Sequence, residues 1–117
     1  MTRIYISGPV TGKPNGNYEA FLDAAYSLRA VRYDATIPHH FVEDEAAHET
    51  AMLLCINELT DYRWKGEVSR PWYDGLALLP GWEQSEGARL ERAVAEACGI
   101  PCKTVEEWIE EARDDNQ

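Results

Sequence analysis

The chain has 117 residues and a formal net charge of −10 at pH 7. That length suits one domain, residues 1–117, with a core of its own, and the charge argues against electrostatic binding of nucleic acid or anionic lipid. A small anionic ligand needs only a local cluster of donors and stays open.

Cys55, Cys98 and Cys102 are an odd set with neither zinc nor redox spacing, so no metal is expected. Reduced thiols suit a cytoplasmic protein. No stretch is long and apolar enough to cross a membrane, and no cleavable leader is expected before Arg3. The acid is concentrated at 43–45 and 106–115, runs expected to be solvated faces.

Residues 2–7 alternate and are rich in Ile and Tyr, so they predict the first strand. Residues 8–16 form a glycine- and proline-rich loop at its carboxyl end. Its glycines permit close backbone approach, and Lys13 could meet a phosphate. Neither P-loop nor dinucleotide spacing is present, and a plain turn is an equal reading. Asn17 is expected to cap the next helix, whose face is Tyr18, Phe21, Leu22, Ala25 and Leu28. Residues 33–37 read as a second strand ended by Pro38. His39 and His40 then fall at its carboxyl end, without a third metal ligand at a recognisable spacing.

A second helix is expected from about 45 to 60, with Met52, Cys55, Ile56 and Leu59 as its stripe. Residues 61–72 break every period, carry Arg63, Lys65 and Arg70, and contain Trp64 and Trp72. A long loop is expected there, as a lid, an interface or a tolerated insertion.

Residues 73–79 read as a third strand buried on both faces. Pro80-Gly81 stops it, and Ser85 is a good N-cap for a helix over 85–98. Leu90, Ala93, Val94 and Ala97 make that helix's apolar stripe. Glu91 falls beside the stripe and leans over Gly87, whose missing side chain leaves room one turn back. The helix N-terminus beside it could hold an anion; a solvated helix glutamate is the plain alternative. Gly99 is a C-cap candidate. A short strand is expected at 101–104, and Thr104 with Glu107 forms a capping box for a last helix to about 113. The βαβαβαβα order predicts an α/β three-layer sandwich with a parallel sheet, flavodoxin- or Rossmann-like. Its ligand would lie at the carboxyl ends of the strands.

Residues 78–83 (Leu-Leu-Pro-Gly-Trp-Glu) and 85–91 (Ser-Glu-Gly-Ala-Arg-Leu-Glu) resemble a domain of unknown function common in phages and bacteria. That domain is similar to the nucleoside 2-deoxyribosyltransferases and the deoxynucleoside 5′-monophosphate N-glycosidases. Residues 4–9 (Ile-Tyr-Ile-Ser-Gly-Pro) fit the same family's first strand and loop, and the likeness runs from residue 3 to about 108.

The resemblance implies cleavage or exchange of the N-glycosidic bond of a (deoxy)nucleoside 5′-monophosphate or related nucleotide, without a cofactor. Glu91 would be nucleophile or oxocarbenium stabiliser, assisted by Tyr5. Ser85 would bind the 5′-phosphate, and Ser7, Gly8, Gly87 and Ala88 would add substrate contacts. It also implies a homodimer or larger oligomer, a role for which the aromatic 61–72 segment is suited.

The chain departs from the pattern in one place. Cys55 aligns where these enzymes carry an aspartate that works with the glutamate. Asn57, Glu58 and Asp61 are nearby, Asp74 is at the wrong end of its strand, and Glu83, His39 and His40 are candidates for the second acid. The alternatives to catalysis are a nucleotide-binding protein that senses or sequesters its ligand, and an acidic protein-binding domain.

Overall fold

A computed structural model describes residues 1–115. Four parallel strands build the sheet: β1 (Arg3–Ser7), β2 (Asp34–Thr36), β5 (Gly75–Leu78) and β6 (Cys102–Thr104), in the order β2-β1-β5-β6. Ile4 sits opposite Ala35 on one side and Gly75 on the other, and Leu76 sits opposite Cys102. Helices α1 (Tyr18–Ala30) and α4 (Val105–Asp115) pack together on one face; α2 (His48–Leu59) and α3 (Glu86–Ala97) pack on the other. This is the three-layer, Rossmann-like sandwich expected.

The chain winds from β1 out to β2, then returns across β1 to β5. The order therefore reverses between β1 and β5, and a crevice opens at their carboxyl ends.

Alternation along β1 decides what each face becomes. Ile4 and Ile6 enter a wholly apolar cluster with Phe21, Ala25, Leu28 and Trp108. Tyr5 and Ser7 point to the opposite layer, where Tyr5 packs with Cys55, Leu59, Tyr73 and Ala95. Gly75 is a packing requirement: a Cβ there would lie 2.3 Å from the Trp108 ring. Trp108 in turn donates from Nε1 to the Leu76 carbonyl at 2.9 Å, which ties α4 to the sheet.

Three caps form as expected. Ser85 Oγ accepts from the Ala88 N–H at 3.2 Å. Thr104 and Glu107 exchange bonds of 3.2 and 2.9 Å. Gly99, at φ +76°, turns the chain out of α3, and the Ile100 N–H closes back on the Ala95 carbonyl. Among the described residues no helix is long and apolar enough to cross a membrane.

Four expectations are corrected. Residues 61–72 are not a long loop but an antiparallel hairpin, β3 (Tyr62–Lys65) and β4 (Val68–Pro71), with Lys65 opposite Val68. Gly66, at φ +72°, supplies the backbone that a two-residue turn needs. The alternation of Tyr62, Arg63 and Trp64 is the strand period, too short to stand out. Trp72 pins the hairpin's base, with the guanidinium groups of Arg3 and Arg63 over its ring at 3.6 and 3.9 Å.

The second helix begins at His48 rather than near residue 45, because 44–45 form a turn. Asn17 stands at the N-cap of α1 but makes no capping bond. Its Nδ2 instead donates to the Pro9 carbonyl at 2.9 Å, holding the loop after β1. Finally, of the stripe expected on α3, Val94 packs partly buried against the core while Leu90, Ala93 and Ala97 are exposed. The helix's buried residues are Ala88, Glu91 and Ala95, while Leu90 is 48% exposed. Small side chains let the helix sit close to the sheet, and the sheet supplies hydroxyl partners for the one carboxylate on that face.

Candidate functional site

Glu91 is the only charged residue buried among those described, at 7% exposure. Ser7 Oγ donates to its Oε1 at 2.8 Å, and the Tyr5 hydroxyl donates to its Oε2. These partners exist because β1 alternates: residues 5 and 7 share the face that α3 covers.

Burial pushes the Glu91 carboxyl up to about 7, and the two hydroxyl donors hold it from going higher. Each donor to a charged acceptor contributes ~1.5–3 kcal/mol, so the anion is tolerated without a cation. Among the described residues no Lys, Arg or His forms an ion pair with it. Tyr5 is fully buried, and its hydroxyl is pushed well above its ordinary range by burial and by the Glu91 charge. Its ring stands edge-on to Tyr73, with centroids 5.4 Å apart.

Ser7 and Glu91 open onto a cleft of about 1310 Å³ at the carboxyl ends of the strands. Its walls are the loop after β1, the segment after β2, the first half of α2, and the turn leading into α3. Gly8, Ser85, Gly87 and Ala88 line it, together with Ser7 and Glu91. Six of the seven expected site residues therefore share one cavity. Tyr5 does not line it and reaches the cleft only through Glu91.

Gly8 is there for fit, since a Cβ would lie 2.7 Å from Leu79 Cβ. The space expected over Gly87 is occupied, because Met52 of α2 stands where a Cβ would be only 3.1 Å from its Sδ.

Cys55 lines the cleft on the α2 side. Burial and the neighbouring Glu91 charge raise its thiol to about 11, so it stays protonated. Asn57, Glu58 and Asp61 do not line the cleft. Glu58 accepts from the Tyr73 hydroxyl, and Asp61 accepts from Arg63. Asp74 accepts from the Arg3 N–H at the amino end of the sheet.

Of the candidates for a second acid, Glu83 and His40 are exposed and lie outside the lining. His39 does line it. Its Nε2 is 2.9 Å from the Gly16 carbonyl, and its Nδ1 is buried without a partner. Among the described residues no group of three or more His, Cys, Asp or Glu could hold a metal ion.

Sequence reasoning missed Glu43, Asp44, His48 and Glu86, all in the lining. The run at 43–45 reads as a solvated face because it is acidic. Its place just after β2 was the signal, since every carboxyl-end loop borders the same crevice.

A family model described as "Domain of unknown function (DUF4406)" matches residues 2–104. The chain belongs to that family. No curated protein and no solved structure matches it.

Proposed function

We propose that this member of a family of unknown function cleaves or exchanges the N-glycosidic bond of a nucleoside 5′-monophosphate or related nucleotide. The observation that carries the reading is the Glu91 carboxyl, buried in the cleft beside a helix N-terminus and held by two hydroxyls. Loss of a base passes through an oxocarbenium-like state, and a carboxylate against the anomeric carbon stabilises or traps it. Ser7 and Tyr5 are positioning residues, because their bonds aim the carboxylate and keep it from rotating away.

The resemblance of residues 4–9 and 78–91 to the transferases and N-glycosidases supports the same assignment. So does Ser85 at the N-terminus of α3, where the cap, the helix dipole and Lys13 across the cleft favour a phosphate. A dimer is part of the reading, since the hairpin leaves Tyr62 and Trp64 63% and 73% exposed.

A second reading has its own observation. Cys55, a protonated thiol, stands where the resembling enzymes carry an aspartate. A protein that binds a nucleotide without turnover fits that loss. The test is chromatographic release of free base from a panel of nucleosides and 5′-monophosphates by the purified chain. Release that requires Glu91 supports the enzyme. Ligand-dependent thermal stabilisation with no release supports the binding protein.

A further inference from the structure

We infer that the preferred substrate carries a positive charge on the glycosidic nitrogen, as an N-ribosyl pyridinium such as a nicotinamide nucleotide does. The inference deepens the glycosidic reading above and rests on it.

The first ground is the charge of the cleft. Glu43, Asp44, Glu86 and Glu91 line it, against Lys13 as the one lysine or arginine in its walls among the described residues. A dianionic nucleotide with a neutral base is poorly matched to four carboxylates and one ammonium. A nucleotide with a cationic base and a phosphate presents both signs. Lys13 and the α3 N-terminus suit the phosphate, and Glu43 and Asp44, on the segment after β2, suit the ring.

The second ground is the leaving group. A neutral purine or pyrimidine departs with the bonding electron pair as an anion unless an acid protonates it. Glu91 is the only buried carboxyl among the described residues, and it is engaged with the sugar. At the α2 position facing it stands Cys55, a poor acid. His39 does not fill the role. Its Nε2 is held by the Gly16 carbonyl at 2.9 Å, and its Nδ1 is buried, with no surface open to a ligand. His48, Glu43, Asp44 and Glu86 are exposed at the rim.

A pyridinium base needs no such acid. The C1′–N bond breaks, its electron pair goes to the ring nitrogen, and the base leaves as a neutral pyridine. A Glu91 oxygen bonds to C1′. Water then adds to C1′, the carboxylate is released, and the water's proton passes to solvent. The sum is N-ribosyl pyridinium plus water giving pyridine, ribosyl product and one proton.

The test measures base release by the full-length protein from nicotinamide mononucleotide and from AMP, dAMP, CMP and dCMP, between pH 5 and 8.5. General acid catalysis contributes ~10²–10⁴-fold where it operates. Without it, kcat/KM for nicotinamide mononucleotide should exceed the best neutral-base nucleotide by about 100-fold or more. The rate should rise with pH to a plateau without a falling limb. Cys55→Asp should shrink the preference about tenfold or more by raising the neutral-base rates. If that variant does not fold, the preference and pH profile of the parent decide alone. Equal or faster release from a neutral-base nucleotide overturns the inference and leaves the glycosidic reading standing. A falling limb with nicotinamide mononucleotide does the same, because it reveals an acid. No release from any substrate overturns both.

Discussion

The two faces of β1 are built by one strand and do opposite work. On one side Ile4 and Ile6 meet Phe21, Ala25 and Leu28, all fully buried and all apolar. On the other, Tyr5 and Ser7 meet a carboxylate. The first face gains from every contact and stores no charge. The second holds a group that would rather be in water, and its two hydroxyl bonds offset only part of that cost. The comparison teaches where this fold keeps its stability and where it gives stability up for chemistry.

The largest expected effect comes from removing the charge on the second face. Glu91→Gln keeps size and shape. Base release should fall about 10³-fold or more, while ligand affinity stays or tightens, because the lost interaction belongs to the transition state. Equal turnover in parent and variant would reduce Glu91 to a structural group.

The dry face should respond in the opposite way. Leu28→Ala, in the same apolar cluster and outside the cleft lining, should cost ~2–5 kcal/mol in denaturant unfolding. It should leave the midpoint of the pH–rate profile unmoved at temperatures where the variant is folded. A shifted midpoint would mean the faces are coupled.

The pH dependence of stability separates the faces a third way. Glu91 ionises near 7 when folded, against an ordinary 4.5. Between those values the folded chain keeps a proton that the unfolded chain has released. Stability from this group is therefore full below about 4.5 and falls as pH rises to about 7. The total is about 3 kcal/mol at 1.36 kcal/mol per unit. Glu91→Gln should remove that decline, so the variant should be the more stable protein above pH 7. Parallel unfolding curves for parent and variant from pH 4.5 to 8 would contradict it.

Smaller effects lie away from both faces. Ser85→Ala should cost ~1 kcal/mol of stability as a lost cap. It should weaken a 5′-monophosphate more than the matching nucleoside, read by calorimetry. Equal losses for both ligands would leave Ser85 a cap only. Trp64→Ser on the hairpin should change monomer stability by less than about 0.5 kcal/mol, yet shift the mass seen in light scattering from dimer toward monomer. A parent already monomeric at micromolar concentration would remove the dimer from the proposal.

Much of the architecture was readable because it is encoded locally. Strand alternation, the helical period of α1 and the caps at Ser85, Thr104 and Gly99 each depend on residues a few positions apart. The hairpin was encoded locally too, in Tyr62, Trp64 and Gly66, but over too few residues to outweigh the surrounding basic and polar pattern. Glu91 was legible as a position worth explaining and Cys55 as a departure. Neither could be given an environment.

That environment is tertiary. Periodicity put Leu90, Ala93, Val94 and Ala97 inside; the fold buries Ala88, Glu91 and Ala95 and keeps only Val94 of that stripe partly covered. The partners that make this tolerable, Tyr5 and Ser7, lie 86 and 84 residues away in sequence. Hydropathy of one helix cannot register a hydroxyl on a distant strand. Elements and caps belong to the local sequence. The buried face of α3, the filling of the space over Gly87 by Met52, and the carboxylate-rich cleft arise only when the strands are brought side by side. Desolvation and hydrogen bonding depend on what surrounds a group in space.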